Sequence, residues 1–474
     1  MLSLEIKNDK TKVTGNPVVV KALSKYLKFK HPNAYFIKKR LNFEWDGFIY
    51  PLTKHNYVAT GLLDYVMDFL EEHEDDYSIL DHRRIPDIGT IPDVVGGLRL
   101  EGKFAFQKEV IEAVVRNTLL GEPHPRGIIA AAVNAGKSTI MMGIHMTYIG
   151  ARTLILINNA ALYDQFKDDL AQAFPDSYGY MRGKKVKWGR IMVVMVQTLA
   201  NRLEEYEDKL REFNVLLTDE CDLANNKTFD SVYKFLSHIS VRAGFTGTVF
   251  LRELKKDQLK NIKMREIFGN ALYTITNKEL EDRNISTRTV VKMIMVNNRV
   301  HEDLNFKEEF DTCVTHNESA QQLVLERALF NLRGGRKPMM IFCKFIEQTE
   351  NLYHYLRAHL PKKYSMEYTH HKRSTKELID SFRAGKINVL VTSLYLKRGM
   401  NFPLTECIIN VAGGEGYTGP LQVLGRGTRS SKTKDVFYLE DFFFNGTYLT
   451  KHSRKRIGYY KKMGHEVRVE NKHT

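Results

Sequence analysis

Residues 127–139 read Gly127-Ile128-Ile129-Ala130-Ala131-Ala132-Val133-Asn134-Ala135-Gly136-Lys137-Ser138-Thr139, an apolar run that passes through small residues into a Gly-Lys-Ser step. The run GIIAAA predicts a buried strand, and STIMMGIHMTYI after it predicts a helix. A strand that becomes a helix through small residues lets backbone N–H groups curl inward, and the helix N-terminus adds positive potential. That context makes the segment a phosphate-cradling Walker A loop, with Ala131 where the pattern has its first glycine. Residues Ala131, Ala132, Val133, Asn134, Ala135, Gly136, Lys137, Ser138 and Thr139 are the expected nucleotide contacts. Lys137 is expected to reach the β- and γ-phosphates of ATP, and Ser138 to place its hydroxyl on Mg2+.

Outward from this loop, short apolar runs alternate with amphipathic segments. TLILIN (153–158), IMVVMV (191–196) and NVLLTDE (214–220) predict strands, while ALYDQFKDDLAQAF and LANRLEEYEDKLREF predict helices between them. Continuous apolar strands alternating with helices indicate a parallel sheet covered on both faces. The stretch 250–289 is polar and breaks the pattern. MMIFCK (339–344), NVLVTS (388–393), ECIINVAG (406–413) and DVFYLED (435–441) then resume it. The chain therefore reads as an α/β protein with two tandem parallel-sheet domains, over 99–298 and 299–446, with a connector near 298–318. The first 98 residues, ending in a proline-containing linker, predict a small separate α+β domain, and 447–474 a basic helix and tail.

Two further clusters carry chemistry. Asp219 and Glu220 follow the strand NVLLT, at the carboxyl end where open parallel sheets bind ligands. Asp219 suits a Mg2+ ligand and Glu220 a group that positions or deprotonates the attacking water. Far along the chain, Gln422-Val423-Leu424-Gly425-Arg426-Gly427-Thr428-Arg429 sets two arginines three residues apart, on one face of a helix. Planar guanidinium groups suit the transferring phosphate, but these lie in the second domain. They are expected to reach ATP when the two domains close, which is the physical basis of a motor.

Composition narrows the partner. The 474 residues include 71 Lys and Arg against 56 Asp and Glu, for a net charge of +15. Such an excess favours a phosphate-rich partner. The four cysteines, Cys221, Cys313, Cys343 and Cys407, are scattered, which argues against a zinc site or a disulfide framework. No apolar run reaches the roughly 18 residues that span a bilayer. The N-terminus lacks the order of a signal peptide, so a cytoplasmic location without membrane attachment is expected. In the first 98 residues, lysines from Lys21 to Lys39 interleave with Tyr26, Phe29, Tyr35 and Phe36, ahead of Trp45-Asp46-Gly47.

In order along the chain, these and further residues resemble the motifs of superfamily 2 helicases. Phe106-Gln107 resembles an adenine-reading glutamine motif. Asn158 and Gln197-Thr198 resemble motifs that touch the nucleic-acid backbone. Asp219 to Asp222 is similar to motif II, Phe245-Thr246-Gly247-Thr248 to motif III and Ile341-Phe342-Cys343 to motif IV. Thr392-Ser393 with Arg398-Gly399-Met400-Asn401 resembles motif V, and Gln422, Gly425, Arg426 and Arg429 resemble motif VI. Motif II reads DECD and motif III reads TGT, and a PTRELA-like motif of RNA-directed DEAD-box enzymes is absent. Within the superfamily the chain resembles the UvsW-type phage helicases, by its basic N-terminal segment with Trp45-Asp46-Gly47 and by the ending that starts Lys451-His452-Ser453-Arg454-Lys455-Arg456.

The resemblance implies that the two parallel-sheet domains are RecA-like, and that the chain is an ATP-dependent DNA helicase or translocase that remodels forks and four-way junctions in phage replication and recombination. Lys137, Asp219, Glu220, Gln422, Arg426 and Arg429 would be catalytic, with Gln107, Gly399 and Asn401 added to the nucleotide contacts. It also implies a basic DNA-binding N-terminal domain, and a monomer working beside single-strand-binding or recombination proteins in a host cytoplasm. Expected DNA contacts are Asn158, Gln197, Thr198, Lys344, Thr392, Ser393 and Arg398, which offer short polar groups or charge for phosphates and so little sequence preference. Trp188, in the basic segment Arg182–Arg190, either stacks on a base at a junction or half-buries in a surface turn. The polar stretch 253–268 reads as a solvated helix or as one lying on a DNA arm. An RNA helicase and the motor subunit of a nuclease or restriction complex are the alternatives.

Overall fold

Runs of Val, Ile and Leu with no polar interruption cannot rest on a one-sided sheet, and here they build two sheets whose strands are buried along their length. The computed structural model describes residues 2–41, 45–73, 76–119, 121–224, 226–247, 258–298, 303–369, 375–393, 402, 404–414 and 436–470. The first large sheet has eight strands in the order Lys185–Lys187, Tyr178–Arg182, Ile191–Met195, Thr153–Ile157, Val215–Asp219, Val241–Thr246, Arg126–Ala131, Ala271–Ile275. From Tyr178–Arg182 through Arg126–Ala131 every neighbouring pair is parallel. The strand that enters the Gly-Lys-Ser loop and the one that ends at Asp219 are both interior to the sheet, each flanking Val241–Thr246.

The second sheet has seven strands, all parallel, in the order Met366–Tyr368, Val389–Ser393, Met339–Cys343, Cys407–Asn410, Val436–Phe443, Arg288–Met295, Val467–Glu470. The chain divides into two compact units, residues 1–131 with 136–274, and 275–474 with 132–135. The change of unit thus falls at residue 275 and not at the expected 298, because Arg288–Met295 already belongs to the second sheet. The expected connector near 298–318 is core instead. Its helix Phe306–Phe310 and the turn after it bury Phe310, Cys313 and Val314.

The predicted helix over 199–213 is two short helices, Val196–Ala200 and Glu207–Leu210, with turns between. Of the polar stretch read over 253–268, residues 253–257 lie outside the described residues, and the rest forms the helix Gln258–Phe268, which is half-buried and turns one face inward. Met264 and Phe268 are buried in the first core.

The first 98 residues form a separate sheet, Tyr57–Ala59, Lys10–Gly15, Leu2–Ile6, Tyr77–Asp81, covered by helices Pro17–Leu27 and Leu63–Glu72 around their own apolar core. This layer is docked on the first large sheet and packs as part of the same unit. Gly61 lies so close to Gln258–Phe268 that a Cβ there would stand 2.1 Å from the Arg265 carbonyl oxygen. Asn8 donates to the His238 carbonyl and Ser240 to the Arg84 carbonyl. Beneath this seam, Arg126 and Arg242 are register partners on adjacent strands, and both are buried. Burial lowers the pKa of both, with Asp9 of the N-terminal layer opposing the shift in each. Arg242 donates to the Ile239 and Leu236 carbonyls and Arg126 to that of Ile267.

The expected C-terminal helix forms over Leu449–Lys462, and residues 447–470 pack into the second unit. Ser453, Arg456, Tyr459 and Tyr460 are buried, and Val467–Glu470 adds the edge strand of the second sheet. Arg456 pairs with Asp441 at 2.9 Å and donates to the carbonyls of Phe442 and Gly414, while the Tyr460 hydroxyl donates to Asp441 at 2.6 Å. The helix N-terminus is held by Glu309, which is fully buried and accepts from the backbone N–H groups of Thr447 (2.7 Å), Tyr448 (3.0 Å) and Leu449 (2.8 Å). A buried carboxylate is stable there because the orphan N–H groups and the helix dipole face it.

Candidate nucleotide site and strand-end polar cluster

The loop between Arg126–Ala131 and Lys137–Thr147 takes left-handed backbone twice, at Asn134 (φ 77°) and Gly136 (φ 77°). Alternation of this kind turns successive N–H groups to one side. Asparagine tolerates that conformation and glycine adopts it freely. Gly136 is needed for a second reason: a Cβ would come 2.2 Å from Nε2 of Gln107, which is buried on the helix Ala105–Val115. The glutamine expected to read adenine is therefore in contact with the cradle itself.

Lys137 opens the helix, and its Nζ lies 2.7 Å from Oδ1 of Asp219. Burial works against the lysine's charge, but the Asp219 carboxylate, helped by Glu220, outweighs it and holds the pKa above its ordinary value. Asp219 is buried at the end of its strand. Glu220 follows in left-handed backbone (φ 53°), which turns the chain sharply out of the sheet. A non-glycine residue in that region stores strain of the kind found at functional sites. Cys221 fills the next position because residue 244 is glycine; a Cβ there would stand 2.8 Å from that of Cys221.

Asp222 was legible only as part of the acidic run, and its partners were not foreseen. Its carboxylate meets Lys260 Nζ at 3.1 Å and the Thr246 hydroxyl at 3.5 Å. Motif II is thereby tied to the motif III strand and to the helix Gln258–Phe268. Lys260 stands in a polar stretch with no periodic or motif signal, so only the folded chain reveals it. Among the described residues no group of three or more His, Cys, Asp or Glu side chains is arranged to hold a metal. Ser138 at the start of its helix and the buried Asp219 are the oxygen donors that would hold a Mg2+ ion, which takes most of its other ligands from phosphate and water.

A second polar cluster gathers at the carboxyl ends of neighbouring strands. Gln197 donates to the Asn158 side chain, and Thr198 accepts from the Gly183 N–H at 3.0 Å. Gly183 is the tip of the hairpin formed by Tyr178–Arg182 and Lys185–Lys187, whose Lys184 and Lys185 are exposed. Of the two readings of Trp188, the structure favours the half-buried surface turn. Trp188 packs half-buried on the first core, edge-on to Tyr206 at 5.3 Å and near Phe213 at 6.4 Å.

In the second unit, Thr392 is fully buried and shares a 2.7 Å hydrogen bond with Thr369, so its hydroxyl is not a phosphate contact. Ser393, also buried, ends the same strand. Lys344 sits among Phe306, Phe310 and Phe345, its Nζ 4.3 Å from the nearest ring centre, and burial lowers its pKa. Arg398, Gly399, Asn401, Gln422, Arg426 and Arg429 lie outside the described residues. All four cysteines are buried free thiols. No helix among the described residues is long and apolar enough to cross a membrane.

Two family models match the chain. Residues 103–251 match "Type III restriction enzyme, res subunit" and residues 318–431 match "Helicase conserved C-terminal domain". A relative is the ATP-dependent DNA helicase uvsW of Enterobacteria phage T4, 24% identical over 226 residues, which cover 46% of this chain and 41% of that protein. The alignment thus spans less than half the curated relative's length. The crystal structure of T4 UvsW aligns over 99% of both chains at 17% identity, with a TM-score of 0.45. A fragment of a putative HsdR subunit of a type I restriction enzyme from Vibrio vulnificus aligns over 77% of this chain and 67% of its own, at 17% identity and a TM-score of 0.53. S. cerevisiae Dbp5 bound to RNA and ADP BeF3 aligns over 77% and 89%, at 15% identity and a TM-score of 0.51. The last two likenesses establish the fold alone.

Proposed function

Because the chain belongs to the superfamily 2 helicases and resembles their UvsW-type members, we propose that it is an ATP-driven DNA motor that remodels forks and four-way junctions. The observation that carries the nucleotide half is the Lys137–Asp219 pair at 2.7 Å, beside Glu220 and beneath the Gln107–Gly136 contact. A lysine and an aspartate that neutralise each other at the phosphate cradle are poised to exchange partners. Lys137 would turn from Asp219 to the β- and γ-phosphates, and Asp219 and Ser138 are the residues that would hold the cation. When bound, Mg2+ would supply neutralisation of the charge that develops on those phosphates. Glu220 accepts the proton of the water that attacks the γ-phosphorus as the bond to the β-phosphate oxygen breaks. Asp222, held by Thr246 and Lys260, links this site to the neighbouring strand and to the helix Gln258–Phe268. Arg426 and Arg429, from the second domain, would complete the site on closure.

DNA is favoured over RNA by the curated relative's printed activity and by the absent PTRELA-like motif. The polar cluster of Asn158, Gln197 and Thr198 with the basic hairpin suits backbone phosphates, so binding should weaken steeply with salt. The restriction-subunit match over 103–251 supports one second reading, a motor subunit of a nuclease complex. Copurification of a nuclease with the native chain would favour it.

Lys137→Ala tests the site. ATP hydrolysis should fall by roughly 100-fold or more, while DNA binding measured by fluorescence anisotropy stays within about twofold. Wild-type hydrolysis by this variant would refute the assignment.

A further inference from the structure

One surface feature is not used by the motor. The strands Phe29–Lys30 and Phe48–Ile49 pair antiparallel, and between them stands the helix Ala34–Leu41. Its Tyr35 is 71% exposed and its Phe36 70%, the two most exposed aromatic side chains among the described residues. Their rings meet edge-to-face at 5.5 Å. Neither ring joins the apolar core of the N-terminal layer. The helix holds no acidic residue, and Lys38, Lys39 and Arg40 are all exposed. At spacings of three and four residues, each aromatic has cations one turn along its own face.

The mount beneath is well packed. Ala34 is buried, and Gly47 (φ 88°) brings the chain so near that a Cβ there would stand 3.1 Å from the Ala34 Cβ. Trp45 donates to the Phe48 carbonyl at 2.9 Å and sets its ring edge-on to His31 at 5.6 Å. The tryptophan is thus part of the support, and Tyr35 with Phe36 are what the support presents.

Two aromatic rings held in water beside three cations need a partner with both charge and flat apolar faces. Duplex phosphates require only the charge. Unpaired nucleotides supply both, since every base has a stacking face and every linkage a phosphate. A membrane-lying helix would instead sink a long apolar face, whereas here the apolar group spans one turn. We infer that the helix Ala34–Leu41 grips unpaired DNA, with Tyr35 and Phe36 stacking on bases and Lys38, Lys39 and Arg40 pairing with the backbone. This rests on the DNA-motor reading above.

The test uses the full chain and anisotropy titrations on a labelled fork with unpaired arms and on a fully paired duplex of equal length. Tyr35→Ala with Phe36→Ala should weaken fork binding about tenfold or more, leave duplex binding within about twofold and keep the salt slope. Tyr35→Trp with Phe36→Tyr should restore fork binding. Changing Lys38, Lys39 and Arg40 to Ser should weaken both substrates and make the salt slope shallower. Both rings are exposed, so thermal unfolding should not move. Equal loss on fork and duplex, or no loss on the fork, would overturn the inference. So would a loss seen only with RNA arms, or only with phosphatidylserine vesicles. DNA stimulation of ATP hydrolysis separates the two failures. If wild type is stimulated and the Ala variant binds forks normally, only this inference falls; if no DNA stimulates or binds wild type, the motor reading falls with it.

Discussion

Gly136 shows how one residue answers two demands. Its φ of 77° is left-handed, and Gln107 occupies the space a side chain would need. Gly136→Ala should therefore cost about 1 kcal/mol of stability through the backbone alone and should displace Gln107. ATP affinity, read by a fluorescent analogue, should fall about tenfold or more, since 1.4 kcal/mol is a factor of ten. Unchanged affinity would mean that the loop is not the cradle. At this scale the sequence was readable where chemistry dictates spacing. The Gly-Lys-Ser step after a buried strand and the acidic pair at a strand end are such spacings, and the fold brings Lys137 and Asp219 together at 2.7 Å. Which of its two readings Trp188 takes, and the burial of Thr392, could not be read locally, because the direction of a side chain depends on neighbours far along the chain, Phe213 in one case and Thr369 in the other.

Three histidines give a pH dependence with a definite sign. Burial, with nearby cations, lowers His124 to about 3, and it lowers His145 and His465 to about 4. In the unfolded chain each titrates near 6.5. Between those values the unfolded state binds more protons, so their contribution is whole above about pH 6.5 and is lost on acidification. The slope approaches about 1.4 kcal/mol per pH unit for each histidine. The Tm should drop between pH 7.5 and 5.5, and His145→Gln should flatten the drop. A Tm constant over that window would contradict the assignment of neutral buried rings.

Among the elements, the helix Leu449–Lys462 depends on a carboxylate 140 residues earlier. Glu309 takes the N–H groups of Thr447, Tyr448 and Leu449 and excludes a side chain at residue 446, where a Cβ would stand 2.5 Å from its Oε1. Glu309→Gln sets a buried amide against donors and should cost about 1–3 kcal/mol, seen as a lower Tm with native circular dichroism. No change in Tm would show the cap to be dispensable. Such long-range capping has no local signature in sequence. The apolar central strands were legible from their composition. Ala271–Ile275, an edge strand, lies inside the polar break, and Arg288–Met295 begins at its end with buried positions that alternate with half-exposed ones, so neither carries the continuous apolar signal of the central strands.

For the molecule as a whole, the N-terminal layer is the part whose placement the sequence concealed. Its composition announced a basic domain, but its docking rests on close packing at Gly61 and on buried arginines that look like surface charge in a linear reading. Docked on the first sheet, the layer travels with the unit that carries Lys137 and Asp219. A DNA arm held by it would therefore be moved by the same body that hydrolyses ATP. The measurement that tests this most directly follows ATP hydrolysis and strand products together across a fork, a four-way junction, a plain duplex and matched RNA, with Lys137→Ala as control. The account predicts that branched DNA stimulates hydrolysis most and is converted to branch-migrated or unwound products by wild type alone. Preferential stimulation by RNA, or hydrolysis without any rearranged DNA product, would contradict it.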